Sequence, residues 1–498
     1  MKNIFLLLLC LTTALSAQAQ HDHHAGHAMP GMKKTGTDST KAGMSMSDMD
    51  MHMTNYGLTM DTSMSGMTHS LSRNLPMNRN GSGTSWHPDN TPMYAYMTPT
   101  APNGWTFMMH YAIYLRYTAQ NSNNPDGRGR AQQFGAPNWF MGMAQRKVGR
   151  KGLFQARAML SLDALTVGNG GYPLLFQTGE SYQGRPLIDK QHPHDLVSEL
   201  SVSYTHAFSR DIDLYGYLGY PGEPTVGPPV FMHRISAFGI SDAPLSHHWQ
   251  DATHITFGVA TVGFRYKWAK LEASTFKGRE PDENRYDFDR PRFDSYSYRL
   301  SVNPSPSLAL QFSQGYIKSP EVLHGDEDVL RTTASILHSK GLGPQRYITS
   351  AFVYGLNGHI GDGHTSGRPE NSFLAESSLQ LDRVNFFGRY ENVGKSAEEL
   401  VLYNPTSSAT DAFRTNPVLT INSLTLGMNY RLVQYKNTDL VLGAQTTLSM
   451  PDQLLQPVYG NMPISGQLYL RLSPSLMTMA SMHTMHSTSR RSMHGMHH

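Results

Sequence analysis

The stretch "WTFMMHYAIYLRYT", residues 105–118, alternates apolar and polar side chains with a period of two. A β-strand turns successive side chains to opposite faces, and a membrane-spanning strand shows one face to lipid and the other to a polar lumen. The odd positions are Trp105, Phe107, Met109, Tyr111, Ile113, Leu115 and Tyr117, all apolar or aromatic. The even positions include Arg116. This pattern favours a transmembrane strand, although the strands of a soluble β-sandwich also alternate.

The same alternation recurs along residues 104–473, for example in "GLFQARAMLSLDAL" from Gly152 and "LTLGMNYRLV" from Leu424. Short links such as 209–211 and 382–383 alternate with long ones, and a weak segment at 329–338 completes an even count of sixteen. The sequence therefore predicts an all-β fold, a transmembrane antiparallel β-barrel of sixteen strands in the bacterial outer membrane. Both termini are expected in the periplasm.

The start of the chain predicts export. Lys2, an apolar run from Ile4 to Leu15 and Ala17-Gln18-Ala19 make residues 1–19 a signal peptide. The single cysteine, Cys10, lies inside it, so the mature chain has no thiol for a type-1 copper site. We find no G-x-S-x-G motif and expect no enzyme activity. A net charge of +3 without a basic block argues against a nucleic-acid partner.

Both ends of the chain lack periodicity and are rich in methionine and histidine. We predict disordered periplasmic segments at 20–103 and 474–498, because they cannot bury enough apolar surface to fold. Neutral thioether sulfur suits Cu(I) and Ag(I), and imidazole also suits Cu(II). The candidate metal ligands are Met44, Met46, Met49, Met51, Met53, His21, His23, His24, His27, Met482, His483, Met485 and His486. The alternative is unselected low-complexity sequence.

Histidines also concentrate in two predicted long loops, in "QHPHDLVSE" (191–199), "VFMHR" (230–234) and "SHHWQDATH" (246–254). The last two lie in the third external loop, which commonly folds into the lumen of sixteen-stranded porins. If it folds inward here, its histidines could face those of the first motif and bind a metal. The lumen candidates are Met108, His110, Met159, His192, His194, Asp195, His233, His247, His248 and His254. The alternative is that these histidines brace loop backbone.

A leader of the "MSMSDMDMHM" type (44–53) before a predicted outer-membrane barrel resembles the copper-resistance B family of outer-membrane proteins. The resemblance implies a role in copper tolerance, by sequestration or by passage across the outer membrane, and it implies no catalytic residue.

We therefore expect soft-metal binding through the periplasmic arms, with a copper ion bound and no organic cofactor. Outer-membrane lipid, periplasmic metal carriers or efflux components, and two further copies in a homotrimer are the candidate partners. The alternative function is a general or solute-specific porin without a metal role. Arg116, Arg157 and Arg431 in its lumen would suit anions or polar solutes.

Overall fold

The computed structural model describes residues 70–98, 101, 104–323, 325–361, 369–400, 402 and 418–477. Within these ranges sixteen antiparallel strands form one closed barrel, which confirms the predicted fold. The strands are β1 (Trp105–Gln120), β2 (Asn138–Val148), β3 (Gly152–Leu160), β4 (Val197–Ala207), β5 (Ile212–Gly219), β6 (Val259–Tyr266), β7 (Ala269–Phe276), β8 (Ser295–Ser305), β9 (Leu308–Ile317), β10 (Asp328–Gly343), β11 (Arg346–Ile360), β12 (Glu370–Leu381), β13 (Val384–Ser396), β14 (Val418–Tyr435), β15 (Thr438–Pro451) and β16 (Ile464–Pro474). Each strand pairs with the next, and β1 also pairs with β16, Ile113 opposite Leu472. Closure leaves the barrel wall without a free edge.

The remaining elements are short. Additional strands are Tyr96–Met97, Ala131–Gly135, Tyr172–Pro173, Glu180–Tyr182, Arg185–Leu187 and Lys190–Gln191, and helical turns are Met77–Arg79, Asp163–Thr166, His247–Gln250, Ala252–His254 and Gln456–Tyr459. In the described ranges, no helix combines the length and hydropathy needed to cross a bilayer.

The two faces of the barrel wall differ as the alternation predicts. On β1, Phe107 and Leu115 point outward and are 47% and 45% exposed, whereas Arg116, directly after Leu115, points inward and is 2% exposed. Large apolar side chains are exposed on the outer face of strand after strand. An apolar exterior around a polar interior is the arrangement of an outer-membrane barrel.

The connections divide the barrel into two ends. At the short-turn end, links of a few residues join β2 to β3, β4 to β5 and so on to β14 and β15. At the long-loop end lie the longer connections, including 161–196 and 220–258. Because β1 and β16 are neighbours with opposite directions, the barrel begins and ends at the short-turn end.

The alternating stretch "GLFQARAMLSLDAL" from Gly152 is a strand only in its first part. The strand ends at Leu160, and beyond it Asp163 turns inward, where its Oδ1 accepts a hydrogen bond from the Asn138 N–H at 2.7 Å. Polar partners in the lumen therefore replace the strand pairing after Leu160.

Residues 70–98, here called the strap, correct the prediction of a disordered segment over the whole of 20–103. The strap crosses the lumen near the short-turn end. The Asn90 N–H donates to the carbonyl of Pro306 at 2.9 Å, and the Tyr94 and Tyr347 hydroxyls lie 2.8 Å apart. The strap is poor in apolar residues, but the polar barrel interior supplies the hydrogen-bond partners that order it.

The start of the predicted tail is also folded. β16 extends to Pro474, Leu476 forms an isolated bridge with Tyr94, and the Met477 N–H donates to the carbonyl of Met93 at 2.8 Å. The prediction that the tail begins at 474 is therefore wrong by four residues. The predictions for 1–69 and 478–498 concern residues outside the described ranges.

The third long connection, residues 220–258, here called the inner loop, folds into the lumen. Side chains on the inner face of the wall hold its backbone. Arg116 of β1 donates to the carbonyl of Ser241, and Asn429 of β14 donates to that of Gly239 at 3.0 Å. The hydroxyl of Ser246 donates to Glu391 of β13 at 2.8 Å. The structure therefore answers a question that the sequence left open, since this loop does fold into the lumen.

Candidate functional site

The candidate ligands fall into two groups. Those of the two arms lie outside the described residues: Met44, Met46, Met49, Met51, Met53, His21, His23, His24, His27, Met482, His483, Met485 and His486. Those of the lumen are described, and the structure gathers most of them at two places. One place is a line of histidines and the other is a cavity lined by methionines and histidines.

Five imidazole rings follow one another through the lumen. In spatial order this histidine row is His192, His248, His247, His254 and His194. Successive ring centroids are 6.0, 5.4, 5.2 and 5.6 Å apart. The two end members come from the loop between β3 and β4, and the middle three come from the inner loop. Folding of the inner loop thus brings together the histidines of two separate sequence motifs.

Three members of the row are held through Nδ1. His194 Nδ1 lies 2.7 Å from Asp163 Oδ2, His247 Nδ1 lies 2.5 Å from Asp251 Oδ1, and His254 Nδ1 lies 3.1 Å from the Asp251 carbonyl. Metal-binding histidines usually donate one ring N–H to such an acceptor and keep the other nitrogen for the metal. Nε2 of His254 has no hydrogen-bond partner in the described protein. The same contacts also brace the loop, so they fit both interpretations of these histidines.

Burial keeps His192, His247, His248 and His254 uncharged near neutral pH. Desolvation lowers the pKa of His247 to about 4, although its hydrogen bond to Asp251 acts in the opposite direction. Desolvation also lowers the pKa of His248 to about 3, and the pKa of His192 and of His254 lies well below 6.5 for the same reason. Neutral imidazole is the form that binds metal ions.

Carboxyl groups flank the row. His192 Nε2 lies 3.2 Å from Glu180 Oε1, and His248 Nδ1 lies 3.8 Å from Glu280 Oε1. Desolvation raises the pKa of Glu280 to about 7 and that of Glu180 well above 4.5. The row therefore offers imidazole nitrogen with carboxyl oxygen beside it.

The row is a line and not a closed cage. Among the described His, Cys, Asp and Glu side chains, one group of three has its ligand atoms within 4.8 Å of one another, and it is Asp282, Asp287 and Asp289. The histidine row can therefore offer an ion two neighbouring imidazoles at a time. Such an arrangement suits transient contacts along a path better than one fixed site.

Asp195 is separate from the row. Its Oδ2 lies 3.3 Å from Arg285 Nη1, and Arg285 also pairs with Glu180 at 3.2 Å. Sequence reasoning grouped Asp195 with the histidines because of its position in "QHPHD" and did not identify Asp163 or Glu180. No sequence signal marks those two residues, because their link to the row exists only in three dimensions.

The second place is a cavity of about 90 Å³ enclosed by the strap, β1, β2 and the inner loop, here called the chamber. Its methionine and histidine lining consists of Met77, His87, Met93, Met108, His110, Met141, Met143, Met232 and His233. On the wall, Met108 lies opposite Met143 and His110 lies opposite Met141 in the β1–β2 register. Directly opposed residues of paired strands are in side-chain contact range, so these four form one patch.

The inner loop supplies the facing side of the chamber. The ring of His233 lies 5.1 Å from that of His110 and 5.2 Å from that of Trp139. Met159 is the cross-strand neighbour of Met141 and packs beside the chamber, outside its lining. The predicted lumen residues Met108, His110 and His233 therefore meet here, away from the histidine row.

Sequence reasoning missed several chamber residues. Met77, His87 and Met93 belong to the strap, which was assigned to a disordered arm. Met141 and Met143 could have been predicted from the sequence, because they alternate with outward-facing residues along β2 in the same way as Met108 and His110 along β1.

A smaller cavity of about 50 Å³ lies between the two places. It shares Met232 and Trp139 with the chamber, and His194 and its partner Asp163 with the histidine row. Side chains that can bind metal ions therefore lie in the histidine row, around this smaller cavity and in the chamber next to the strap.

The arginines that suggested an anion pathway are occupied by structural contacts. Arg157 donates to the carbonyl of Gly83 in the strap at 2.6 Å, and Arg116 donates to Ser241 in the inner loop. Arg431 donates to Gln345 Oε1 at 2.8 Å. These residues hold the strap, the inner loop and a short turn, which weakens the sequence-based argument for anion transport.

No protein-family model matches the chain, and no curated protein matches it in sequence. Solved structures with similar barrels include OmpF of Salmonella typhi in complex with daunomycin, at 9% identity and a TM-score of 0.45, over 75% of this chain and 99% of that one. An anion-selective porin from Comamonas acidovorans is 10% identical with a TM-score of 0.42, over 74% and 99% of the two chains. OprB of Pseudomonas putida is 9% identical with a TM-score of 0.46, over 75% and 94%. The barrel assignment itself rests on the strand pairing of this chain.

Proposed function

We propose that this chain is an outer-membrane barrel that binds soft metal ions for copper sequestration or passage across the outer membrane. Cu(I) is the first candidate, with Ag(I) and Cu(II) after it. One observation carries the proposal: the methionine and histidine chemistry of the two arms recurs inside the barrel between them. There, loops distant in sequence place five imidazoles in a row.

The chemistry of the donors favours soft and borderline ions. Hard cations prefer oxygen ligands, whereas thioethers and imidazoles suit copper and silver. Buried imidazoles in the row are neutral at pH 7, so an ion does not first have to displace protons from them. The arm spacings M-x-M and M-x-x-M, as in Met44, Met46 and Met49, keep methionine sulfurs close enough in sequence for two or three of them to bind one ion.

The proposal includes an orientation and partners. Outer-membrane barrels have short turns on the periplasmic side and long loops outside. With that orientation both arms would be periplasmic, where metal carriers or efflux components could exchange ions with them. A role like that of the copper-resistance B family, which the leader resembles, and a homotrimeric assembly belong to the same proposal.

The test is a titration of the purified full-length chain in detergent with Cu(I) under a competing chelator. A variant carries leucine at the arm positions Met44, Met46, Met49, Met51, Met53, Met482 and Met485. A matched control carries leucine at Met428, Met450 and Met462, which are exposed on the barrel. We expect micromolar or tighter binding by the wild type and the control, and fewer bound equivalents in the arm variant.

If the arm variant and the control bind the same number of Cu(I) equivalents, the arm methionines are not Cu(I) ligands. Absence of Cu(I) binding by the wild-type chain would contradict the proposal altogether. The chain would then be interpreted as a porin for another solute.

A further inference from the structure

We propose that the chamber is a binding site for a monovalent soft ion, Cu(I) or Ag(I), built from thioether and imidazole side chains. It deepens the function proposed above and rests on it. The principal ligands would be Met108, His110 and Met143 on the wall with Met232 and His233 on the inner loop. The following observations support this assignment.

The methionines of the folded part of the chain are concentrated around one place. The strap, β1, β2 and the inner loop each contribute at least one methionine to the chamber lining. Met97 packs with Met77 and Met143 at its edge, and Met477 packs against the same group. Convergence of one residue type from three successive stretches and from the inner loop, which is distant in sequence, calls for an explanation beyond local composition.

One polar atom of the chamber is available to a ligand, whereas the Met143 sulfur accepts a hydrogen bond from Gln155 Nε2 at 2.7 Å and would have to exchange it for the ion. Nε2 of His110 is buried and has no hydrogen-bond partner among the described residues. A buried ring nitrogen without a partner is costly unless a water or an ion satisfies it. His233, whose ring is 5.1 Å away, comes from a different element, so two imidazoles approach the same space.

The charge of the side chains that line the chamber favours monovalent over divalent cations. The described residues that line the chamber include no Asp or Glu, and they include Arg157. A site without a carboxylate and with a nearby guanidinium disfavours divalent cations, whose charge it cannot balance. Neutral sulfur and nitrogen donors still bind Cu(I) or Ag(I). The chamber therefore differs from the histidine row, where carboxyl groups lie beside the imidazoles.

Methionine also fills irregular gaps in ordinary cores, and packing alone would explain a few of these residues. A packing role requires only apolar volume, which leucine supplies equally well. Metal binding requires sulfur. Met→Leu substitution therefore separates the two roles, and protein cores usually tolerate it well.

The chamber has its own optical probe. Trp139 borders it, and its ring lies 5.2 Å from that of His110. None of the five tryptophans lies in 20–69 or 478–498, so neither arm carries a tryptophan of its own. A Trp139→Phe variant identifies the part of the emission that comes from this position.

The experiment titrates the full-length chain in detergent with Ag(I) and follows the Trp139 emission together with the total silver bound. The chamber variant is Met108→Leu/Met143→Leu/Met232→Leu, and His110→Asn is a second, single-site variant. The matched control is Met109→Leu/Met428→Leu/Met450→Leu, whose methionines point outward on the same barrel.

We expect one equivalent of Ag(I) to change the Trp139 emission in the wild type and the control. In the chamber variant the affinity of that response should fall at least about tenfold. An unchanged response in the chamber variant would overturn the chamber site, as would silver binding without any change at Trp139, and both results would leave the proposed function standing. If the full chain binds no Ag(I) or Cu(I), both proposals fail.

Discussion

At the residue scale, Arg234 fixes the inner loop to the barrel wall. Its Nη1 lies 2.6 Å from Asp251 Oδ2 and its Nε lies 2.9 Å from Glu376 Oε1, and all three side chains are almost fully buried. Asp251 in turn holds His247 of the histidine row. One guanidinium therefore connects β12, the inner loop and a candidate ligand.

Removing Arg234 should loosen the inner loop. Arg234→Ala leaves Asp251 without its buried guanidinium partner, a loss that typically costs about 3–5 kcal/mol. We expect faster hydrogen exchange in residues 220–258 and a lower unfolding temperature in detergent. Arg346→Ala is the control, because the Arg346–Asp382 pair is about half exposed and such pairs contribute about 0–1 kcal/mol. Similar effects of the two substitutions would show that the buried network does not hold the loop.

The pH dependence of the inner loop should carry the signature of its histidines. The pKa of His247 and of His248 lies below the ordinary value of 6.5, at about 4 and about 3. An opened loop therefore binds more protons than the folded one as the pH falls below 6.5, and acid favours opening. This stabilisation is complete above pH 6.5 and is lost toward pH 4.

Nearby carboxyl groups act in the opposite direction. Burial raises the pKa of Glu280 to about 7 and that of Glu180 well above 4.5, so their contribution to stability decreases as the pH rises. The prediction therefore compares the pH response of the wild type with that of a variant that lacks the two histidines. Between pH 7 and pH 5, the protection factors of inner-loop amides against hydrogen exchange, which are corrected for the intrinsic exchange rate, should fall more in the wild type than in His247→Asn/His248→Asn. An equal or larger fall in the variant would contradict it.

At the element scale, the strap and the inner loop show where sequence reasoning succeeds and where it stops. Most barrel strands carry their own alternation, and the weak segment at 329–338, which was predicted because it completes an even strand count, forms part of β10. The strap carries no periodicity, because its order comes from side chains on strands that are far away in sequence. Arg299 of β8, for instance, donates to the Thr84 hydroxyl at 2.8 Å.

The candidate site divides in the same manner. The sequence motifs marked the histidines of the row, and an inward third loop was enough to bring them together. The chamber is formed by the strap together with the barrel wall and the inner loop, so its full set of lining residues could not be predicted from the strands and loops alone. Met141 and Met143 are the exception, since the alternation of β2 already placed them on the inner face.

Removing the strap should open the lumen at the short-turn end. We expect deletion of residues 70–98 to raise the single-channel conductance in planar bilayers and to increase the preference for anions. Arg157 and Arg299 would then face the lumen without their strap partners. Deletion of residues 40–60 is the control, since it shortens the same arm without touching the strap. Unchanged conductance in the strap deletion would mean that the strap does not obstruct the path.

At the scale of the whole molecule, the barrel places the beginning of β1 and the end of β16 at the short-turn end, together with the strap and the chamber. The histidine row lies on inward-folding segments of loops from the long-loop end. An ion that moved between the two ends would meet imidazoles beside carboxyl groups at one stage and thioethers without carboxylates at the other.

The proposed orientation in the membrane can be tested on cells. An epitope inserted in the loop at 452–463, at the long-loop end, should react with antibody on intact cells. An epitope added after His498 should react only after the outer membrane is permeabilised. The reverse pattern would place the arms outside the cell and contradict the periplasmic assignment.

The most direct test of a soft-metal site inside the lumen is to locate silver, by anomalous scattering, in crystals of the full-length barrel soaked with Ag(I). We expect a peak between the β1–β2 wall and the inner loop, within bonding distance of Met108 or Met143 sulfur and of a His110 or His233 ring nitrogen. A chamber without silver, in crystals whose anomalous signal appears elsewhere on the chain, would contradict a soft-metal site inside the lumen.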